Sequence, residues 1–156
     1  LLEDAFKFAK MGGTIDLTCG ESESKFHSVA DAVKKAKEEG VPMEKVTMSS
    51  DGQGSWSNYD AEGKLVEIGV SDVDTIYRQI VYMVKEENMD LEELLALGTK
   101  NPAMALELYP KKGAVKEESD ADILIMNEDL SLDTVIAMGV PMMRDGKILK
   151  KGTYEK

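Results

Sequence analysis

The chain has 156 residues, of which 42% are hydrophobic and 31% charged, proportions that suit one globular domain with a core of its own. With 30 acidic against 19 basic side chains its net charge is -11, which argues against nucleic acid and anionic membranes as partners because phosphate groups attract basic surfaces. No apolar run is long enough for a membrane helix, and the single cysteine, Cys19, excludes an internal disulfide framework and is typical of a cytoplasmic protein.

The first part of the chain predicts helices that alternate with strands. Apolar residues at helical spacing predict helices over 2–11 and 28–39, the second of them capped by Ser28. Short β-branched and alternating apolar runs predict strands over 14–18 and 45–50. Strands joined through a single helix form parallel pairs by right-handed crossovers, so we expect an α/β fold with a parallel sheet.

The next part predicts two long helical segments. Helical periodicity covers 71–88 and 90–108. Gly98 and Pro102 are expected to break the second segment into two short helices, because both residues interrupt helical patterns.

The tail of the chain follows a different pattern, typical of antiparallel β structure. A strand is predicted at 123–126, and tight turns at 138–139 and 145–146 separate further short apolar runs. The change of pattern predicts two units, an α/β unit over 1–109 and a β-rich unit over 110–156.

A flexible corner with one carboxylate follows the second predicted strand. In the run VTMSSDGQGSW, Asp51 and Ser55 lie directly beyond the strand, and Gly52 and Gly54 separate them. In parallel α/β folds the chemistry lies at the carboxyl ends of the strands, and glycines allow a ligand to approach the backbone closely. The corner is therefore a candidate site that presents Asp51 and Ser55 to a cleft, although an ordinary polar turn has the same composition.

The other reactive side chains give weaker signals. His27, the only histidine, is predicted to be a surface residue in a polar loop, and Cys19 either faces the same cleft or is a small buried thiol. One histidine without a recognisable context gives no Ser/His/Asp triad, and Gly-Gln-Gly lacks the rest of a phosphate-binding motif. A lone carboxylate becomes a competent base beside a metal-activated water, so Asp51 needs partners from elsewhere.

Several runs of this sequence resemble known enzymes. GGTIDLT, GVPMEKVTMSSDGQGS and GKLVEIGV resemble the isoaspartyl (β-aspartyl) dipeptidases, and the tail from GTKNPAMALEL to GVPMMRDGKI resembles the close of amidohydrolase-superfamily enzymes. The resemblance implies that 1–109 is the last part of a metal-dependent (β/α)8 TIM-like barrel and that 110–156 completes a small β-sandwich domain. The start at Leu1, without a methionine and within an amphipathic pattern, also leads us to expect a carboxyl-terminal piece of a larger protein.

The resemblance also implies an activity and a role for each residue of the corner. Zinc-dependent hydrolysis of β-aspartyl dipeptides at a binuclear site is expected, with Asp51 as a metal ligand and as the general base that passes a proton from the attacking water to the leaving amine. Ser55 would contact a substrate carboxylate, with Gly52 and Gly54 giving room for the dipeptide. The family's metal-binding histidines, bridging lysine and substrate-binding arginines have no counterpart here. We therefore expect the isolated chain to be inactive and the complete enzyme to be a cytoplasmic homo-oligomer.

Two alternatives stay open. Another amidohydrolase, such as an N-acyl-amino-acid deacetylase, a D-aminoacylase or a dihydroorotase, would share the tail, and only SSDGQGS favours a dipeptidase. A non-catalytic α/β binding module is the second alternative, and an upstream strand with a His-x-His motif would reject it.

Overall fold

The computed structural model describes residues 1–20 and 22–152. The helices in these ranges are α1 (Leu2–Lys10), α2 (Glu23–Glu38), α3 (Thr75–Lys85), α4 (Leu91–Gly98) and α5 (Lys100–Ala105), with a short 3-10 turn at Met43–Lys45. The strands are β1 (Ile15–Thr18), β2 (Val46–Ser49), β3 (Ser55–Tyr59), β4 (Leu65–Val70), β5 (Ile123–Met126), β6 (Leu132–Ala137), β7 (Val140–Arg144) and β8 (Lys147–Ile148). None of the helices in the described ranges is both long and apolar enough to cross a membrane.

The first two strands form a parallel pair. β1 and β2 run side by side, with Ile15 opposite Val46 and Thr18 opposite Ser49, and α2 connects them. This pairing confirms the α/β fold predicted from the alternation of helices and strands.

One face of this parallel pair packs against a helical layer. Ile15, Val46 and Met48 point into a core to which α1 contributes Phe6 and α4 contributes Leu94. These side chains lie at the apolar positions that repeat with helical or strand period, so their burial is what selects the observed packing.

The opposite face of the pair is polar and open. The carboxylate of Asp16 accepts hydrogen bonds from Thr47 Oγ1 at 2.7 Å and from Ser49 Oγ at 2.5 Å, which links the two strands. Asp16 and Thr18 are exposed. Parallel sheets are normally covered on both faces, and in residues 1–20 and 22–152 this sheet has two strands and is not closed into a barrel.

The start of α2 differs from the prediction. The helix begins at Glu23, and its cap is Ser22, whose Oγ accepts from the backbone N–H of Lys25 at 3.2 Å. The predicted cap, Ser28, lies inside the helix and donates its hydroxyl to the Lys25 carbonyl. The prediction was wrong because residues 23–28 are polar except for Phe26, so the apolar pattern was recognised only from Val29 onward.

The segment predicted at 90–108 forms two short helices, as expected. Of the two residues predicted to break it, only Gly98 does so. α4 ends at Gly98, which confirms that break. Pro102 does not break a helix, because it lies in the first turn of α5, where the missing N–H has no helical acceptor. Asn101, which is 4% exposed, donates to the carbonyls of Met43 and Val46 at 2.7 and 2.8 Å and so fastens α5 to the start of β2.

The tail forms the predicted antiparallel structure. β5 to β8 make a four-stranded sheet in sequence order. Both residues of each predicted turn have positive φ, at Met138–Gly139 and Asp145–Gly146, as two-residue hairpins of type I′ require. The division into units at 1–109 and 110–156 stays a prediction, and positions 153–156 of the second unit lie outside the described residues.

Candidate active site

A two-stranded ribbon that the sequence analysis missed follows the Asp51 corner. β3 and β4 pair antiparallel, from Ser55 opposite Val70 to Tyr59 opposite Leu65. In the connecting turn, the carboxylate of Asp60 accepts from the backbone N–H groups of two turn residues at 3.1 and 2.8 Å. The signal in the sequence was weak: a Gly-containing turn lies between two short runs that include aromatic and β-branched residues.

The backbone around Asp51 is held in an unusual conformation. Asp51 and Gln53 have φ values of 48° and 66°, in the left-handed region that aspartate tolerates better than most residues. The N–H of Gly54 donates to the Asp51 carbonyl at 2.8 Å, which closes a turn. Gln53 N–H donates to the Ser71 carbonyl and Ser71 N–H to the Gly54 carbonyl, at 2.8 and 2.9 Å. The turn is thus anchored to the open end of the ribbon.

The two glycines of this turn provide room for atoms of the chain itself. A Cβ on Gly52 would lie 2.9 Å from Ser50 Oγ and from Val73 Cγ1. A Cβ on Gly54 would lie 2.7 Å from Asp51 Oδ1. Neither glycine lies among the residues that line the neighbouring cleft, and their predicted role of giving room to a dipeptide stays a prediction.

A cleft of about 530 Å³ opens where the carboxyl ends of β1 and β2 meet the ribbon. One wall comes from the end of β1 and the start of α2, the other from the ribbon, and Asp51 also lines the cleft. The lining residues are Thr18, Cys19, Gly20, Ser22 and Lys25 on the first wall, Trp56, Asn58 and Glu67 on the second, with Asp51 and Ser71. The structure thus brings the exposed Asp51 to the place where a parallel sheet supports chemistry.

Ser55 lies beside this cleft without being one of its lining residues. It is the exposed first residue of β3, and the following residue, Trp56, lines the cleft. Because side chains alternate along a strand, Trp56 and Asn58 occupy the cleft face and Ser55 the other face. Its contact with a substrate carboxylate stays a prediction.

Cys19 is a buried thiol at the edge of the cleft. It is 3% exposed, and its backbone N–H donates to the Ser49 carbonyl at 2.8 Å. Burial, together with the nearby Asp16 carboxylate, raises the pKa of the Cys19 thiol to about 12. Cys19 is therefore protonated at neutral pH and lacks the thiolate that a nucleophile needs.

His27 lies in α2, so its predicted place in a polar loop was wrong. Its Nδ1 is 2.7 Å from the hydroxyl of Tyr82, which donates to Glu87 Oε1 at 3.0 Å, and Lys34 binds the other oxygen of Glu87. The hydrogen bond from Lys34, and then that from Tyr82, lowers the pKa of Glu87. This network joins α2 to the end of α3 and lies away from the cleft. Half of the His27 side chain is exposed, which agrees with the prediction that His27 is a surface residue.

The described residues provide at most part of a metal site. In residues 1–20 and 22–152, no three His, Cys, Asp or Glu side chains lie close enough together to hold a metal ion. The carboxylate of Asp51 is a suitable oxygen ligand for zinc, but catalytic zinc sites use three protein ligands. A zinc site that includes Asp51 therefore needs ligands from beyond these residues.

Comparison with known proteins decides the family. Residues 3–149 match the amidohydrolase family. The chain belongs to the amidohydrolase family. This result agrees with the resemblance seen in the sequence, including that of the tail.

Two solved β-aspartyl dipeptidase structures are similar to this amidohydrolase chain. One, from Fervidobacterium islandicum AW-1 in complex with a β-Asp-Leu dipeptide, has a TM-score of 0.82 and 36% identity, covering 98% of this chain and 39% of that chain. Another, also from Fervidobacterium islandicum AW-1, has a TM-score of 0.76 and 33% identity, covering 99% of this chain and 37% of that chain. The amidohydrolase chain thus spans less than half the length of these dipeptidases.

More distant structures share the fold alone. N-acetylglucosamine-6-phosphate deacetylase from Pasteurella multocida has a TM-score of 0.57 and 18% identity, covering 74% of this chain and 34% of that chain. This likeness concerns the architecture of the amidohydrolase chain alone and does not bear on its substrate.

Proposed function

We propose that the complete protein is a zinc-dependent dipeptidase that hydrolyses β-aspartyl (isoaspartyl) dipeptides, with Asp51 as general base. The observation that carries this proposal is the position of Asp51, at the carboxyl end of β2 and within the cleft. The chain in which it lies is 36% identical to a β-aspartyl dipeptidase solved with β-Asp-Leu.

Asp51 performs the proton transfers in this mechanism. Zinc, when bound, lowers the pKa of water to about 7 and polarises the scissile carbonyl. The Asp51 carboxylate accepts a proton from the attacking water and delivers it to the leaving nitrogen, which would otherwise be too basic to depart. The backbone hydrogen bonds of the Gly54 turn hold the main chain of Asp51 in place before the substrate arrives.

The other residues of the corner have supporting roles in the proposal. Ser55 contacts a substrate carboxylate, a role supported by the resemblance of SSDGQGS to the dipeptidases. Gly52 and Gly54 allow the close packing of the backbone around Asp51, and the resemblance to the dipeptidases supports their further role of giving room to the dipeptide.

Two uncovered surfaces of this chain, one on the β1–β2 pair and one on the tail sheet, support an architecture for the complete enzyme. Residues 1–109 form the carboxyl-terminal part of the (β/α)8 barrel, a proposal supported by the uncovered polar face of β1 and β2 around Asp16. Residues 110–156 complete a small β-sandwich, supported by the exposed apolar side chains of Leu124 and Ile148 on the tail sheet. Without the remaining metal ligands, the isolated chain is inactive.

Cellular location and assembly belong to the same proposal. A cytoplasmic location is supported by Cys19, a free thiol that a reducing compartment preserves. A homo-oligomer is supported by the exposed apolar side chains of Ile68 and Val70, since large exposed apolar patches often mark an interface. Sedimentation of the complete protein would test the assembly.

A substrate panel tests the proposed function. The zinc-loaded complete protein should hydrolyse β-Asp-Leu in preference to α-Asp-Leu, N-acetyl amino acids, N-acyl-D-amino acids and dihydroorotate. A preference for one of the last three would establish another amidohydrolase activity instead. Failure of the zinc-loaded protein to hydrolyse any of them would favour a non-catalytic binding module.

A further inference from the structure

The carboxyl end of β2, directly before Asp51, is bonded to the neighbouring strand through its side chain and its main chain. Ser49, the last residue of β2, donates its hydroxyl to Asp16 Oδ2 at 2.5 Å. The Ser49 carbonyl accepts the backbone N–H of Cys19 at 2.8 Å. Ser49 is thus held at two points, and only Ser50 separates it from Asp51.

The Asp16 carboxylate binds two hydroxyl groups of β2 at once. Its other oxygen, Oδ1, accepts from Thr47 Oγ1 at 2.7 Å, and Asp16 lies opposite Thr47 in the parallel register. Because side chains alternate along a strand, Thr47 and Ser49 lie on the same face of β2, and the carboxylate spans both. Hydrogen bonds to a charged acceptor are roughly twice as strong as neutral ones, so Asp16 holds this end of β2 more firmly than a neutral residue would.

The main chain that follows Ser49 is held by the turn around Asp51. The N–H of Gly52 donates to Ser50 Oγ at 3.1 Å, and the N–H of Gly54 donates to the Asp51 carbonyl at 2.8 Å. Only Ser50 lies between the anchored Ser49 and Asp51, so a displacement of Ser49 reaches Asp51 through a single residue.

Asp16 acts through the chain, because neither Asp16 nor Ser49 lies among the residues that line the cleft. We propose that Asp16 is a positioning residue for the reaction. By holding the Ser49 hydroxyl it fixes the end of β2, and with it the main chain from which the Asp51 side chain projects. This role rests on the proposed function and adds a residue of the neighbouring strand that places the general base.

The test measures kcat and KM for β-Asp-Leu in the complete, zinc-loaded protein, with zinc content determined on each sample. Asp16→Ala removes both hydrogen bonds and should lower kcat about tenfold with little change in KM, because a catalytic group misplaced by about 1 Å can cost up to about 10²-fold. Asp16→Asn keeps the size of the side chain, and its amide both accepts and donates, so it should recover most of the wild-type kcat. A kcat in Asp16→Asn as low as in Asp16→Ala would assign the effect to the charge of Asp16 and overturn a positioning role.

Ser49→Ala tests whether Asp16 acts through Ser49. This variant should also lower kcat. The double variant, with both Asp16→Ala and Ser49→Ala, should be no slower than Asp16→Ala alone, since the effects of two residues that share one hydrogen bond do not add. Losses that multiply in the double variant would show that the two residues act independently and would overturn the inference.

Hydrogen exchange followed by mass spectrometry gives a readout that does not depend on activity. Peptides that cover 46–54 should exchange faster in Asp16→Ala than in the wild type, because the end of β2 is released. Asp129→Ala is the matched control, since Asp129 likewise accepts a hydroxyl hydrogen bond, from Ser131 Oγ at 2.6 Å, in the turn before β6. This control should leave kcat and the exchange of 46–54 as in the wild type.

The two readouts separate this inference from the proposed function. Wild-type kcat and wild-type exchange in Asp16→Ala, in a protein that cleaves β-Asp-Leu, would overturn the role of Asp16 and leave the proposed function intact. A zinc-loaded wild type that does not cleave β-Asp-Leu would overturn the proposed function, and the exchange of 46–54 would still decide whether Asp16 holds the end of β2.

Discussion

Gly54 packs directly against Asp51: a Cβ at position 54 would lie 2.7 Å from Asp51 Oδ1 and 2.8 Å from the Asp51 carbonyl oxygen. Real Cβ atoms do not approach other atoms so closely, and the carbonyl is fixed because it accepts the hydrogen bond that closes the turn. Gly54→Ala must therefore displace Asp51. We predict that this substitution lowers kcat up to about 10²-fold, the effect of a misplaced catalytic group, in steady-state assays with β-Asp-Leu.

Gly63→Ala is the control for this prediction. Gly63 lies in the β3–β4 turn with a φ of 81°, and a Cβ there meets no atom within 4 Å. The substitution should lower stability by about 1 kcal/mol through backbone strain and leave kcat unchanged. Equal losses of kcat in the two variants would show that Gly54 does not act through Asp51.

The Cys19 thiol should resist alkylation in the folded protein. With a pKa of about 12, its thiolate fraction near pH 8 is only about 10⁻⁴, and the side chain is almost completely buried. Iodoacetamide should therefore label Cys19 slowly in the native state and rapidly in urea, as followed by mass spectrometry. Rapid native labelling would contradict the burial seen here.

Glu87 should contribute to the pH dependence of stability in the acid range. Its pKa is lowered from an ordinary value of 4.5 by Lys34 and then Tyr82, so its contribution is present above that value and is lost as pH falls through the lowered pKa. In urea unfolding between about pH 5 and pH 3, Glu87→Gln should weaken the loss of stability on acidification. Glu86→Gln, at the neighbouring exposed position, should retain the wild-type dependence.

The elements with clear apolar periodicity could be predicted from the sequence. The parallel pairing of 14–18 with 45–50 followed from their alternation with helices, and the turns of the tail from Met138–Gly139 and Asp145–Gly146. These features are local, and burial of their apolar faces enforces them.

Apolar periodicity in the sequence predicted neither the ribbon nor the correct start of α2. β3 is polar apart from Trp56 and Tyr59, so it gives a weak strand signal, and β4 does not alternate between polar and apolar residues. The cleft depends on this ribbon, because Trp56, Asn58 and Glu67 line it beside Asp51 and the end of β1. Such a juxtaposition arises from tertiary structure and has no signature in spacing.

The proposed function depends most directly on Asp51. Asp51→Asn keeps the size of the side chain and removes its basic site, so in the complete enzyme we predict a loss in kcat of at least about 10²–10⁴-fold. Ser55→Ala serves as a comparison, since loss of a substrate hydrogen bond should raise KM about tenfold with little change in kcat.

The decisive measurement is kcat for β-Asp-Leu in the Asp51→Asn enzyme, with zinc content determined on the same sample because Asp51 is also a proposed metal ligand. We predict a kcat reduced by at least about 10²-fold in enzyme that retains its full zinc complement. A fully zinc-loaded Asp51→Asn enzyme that cleaves β-Asp-Leu at close to the wild-type kcat would contradict it.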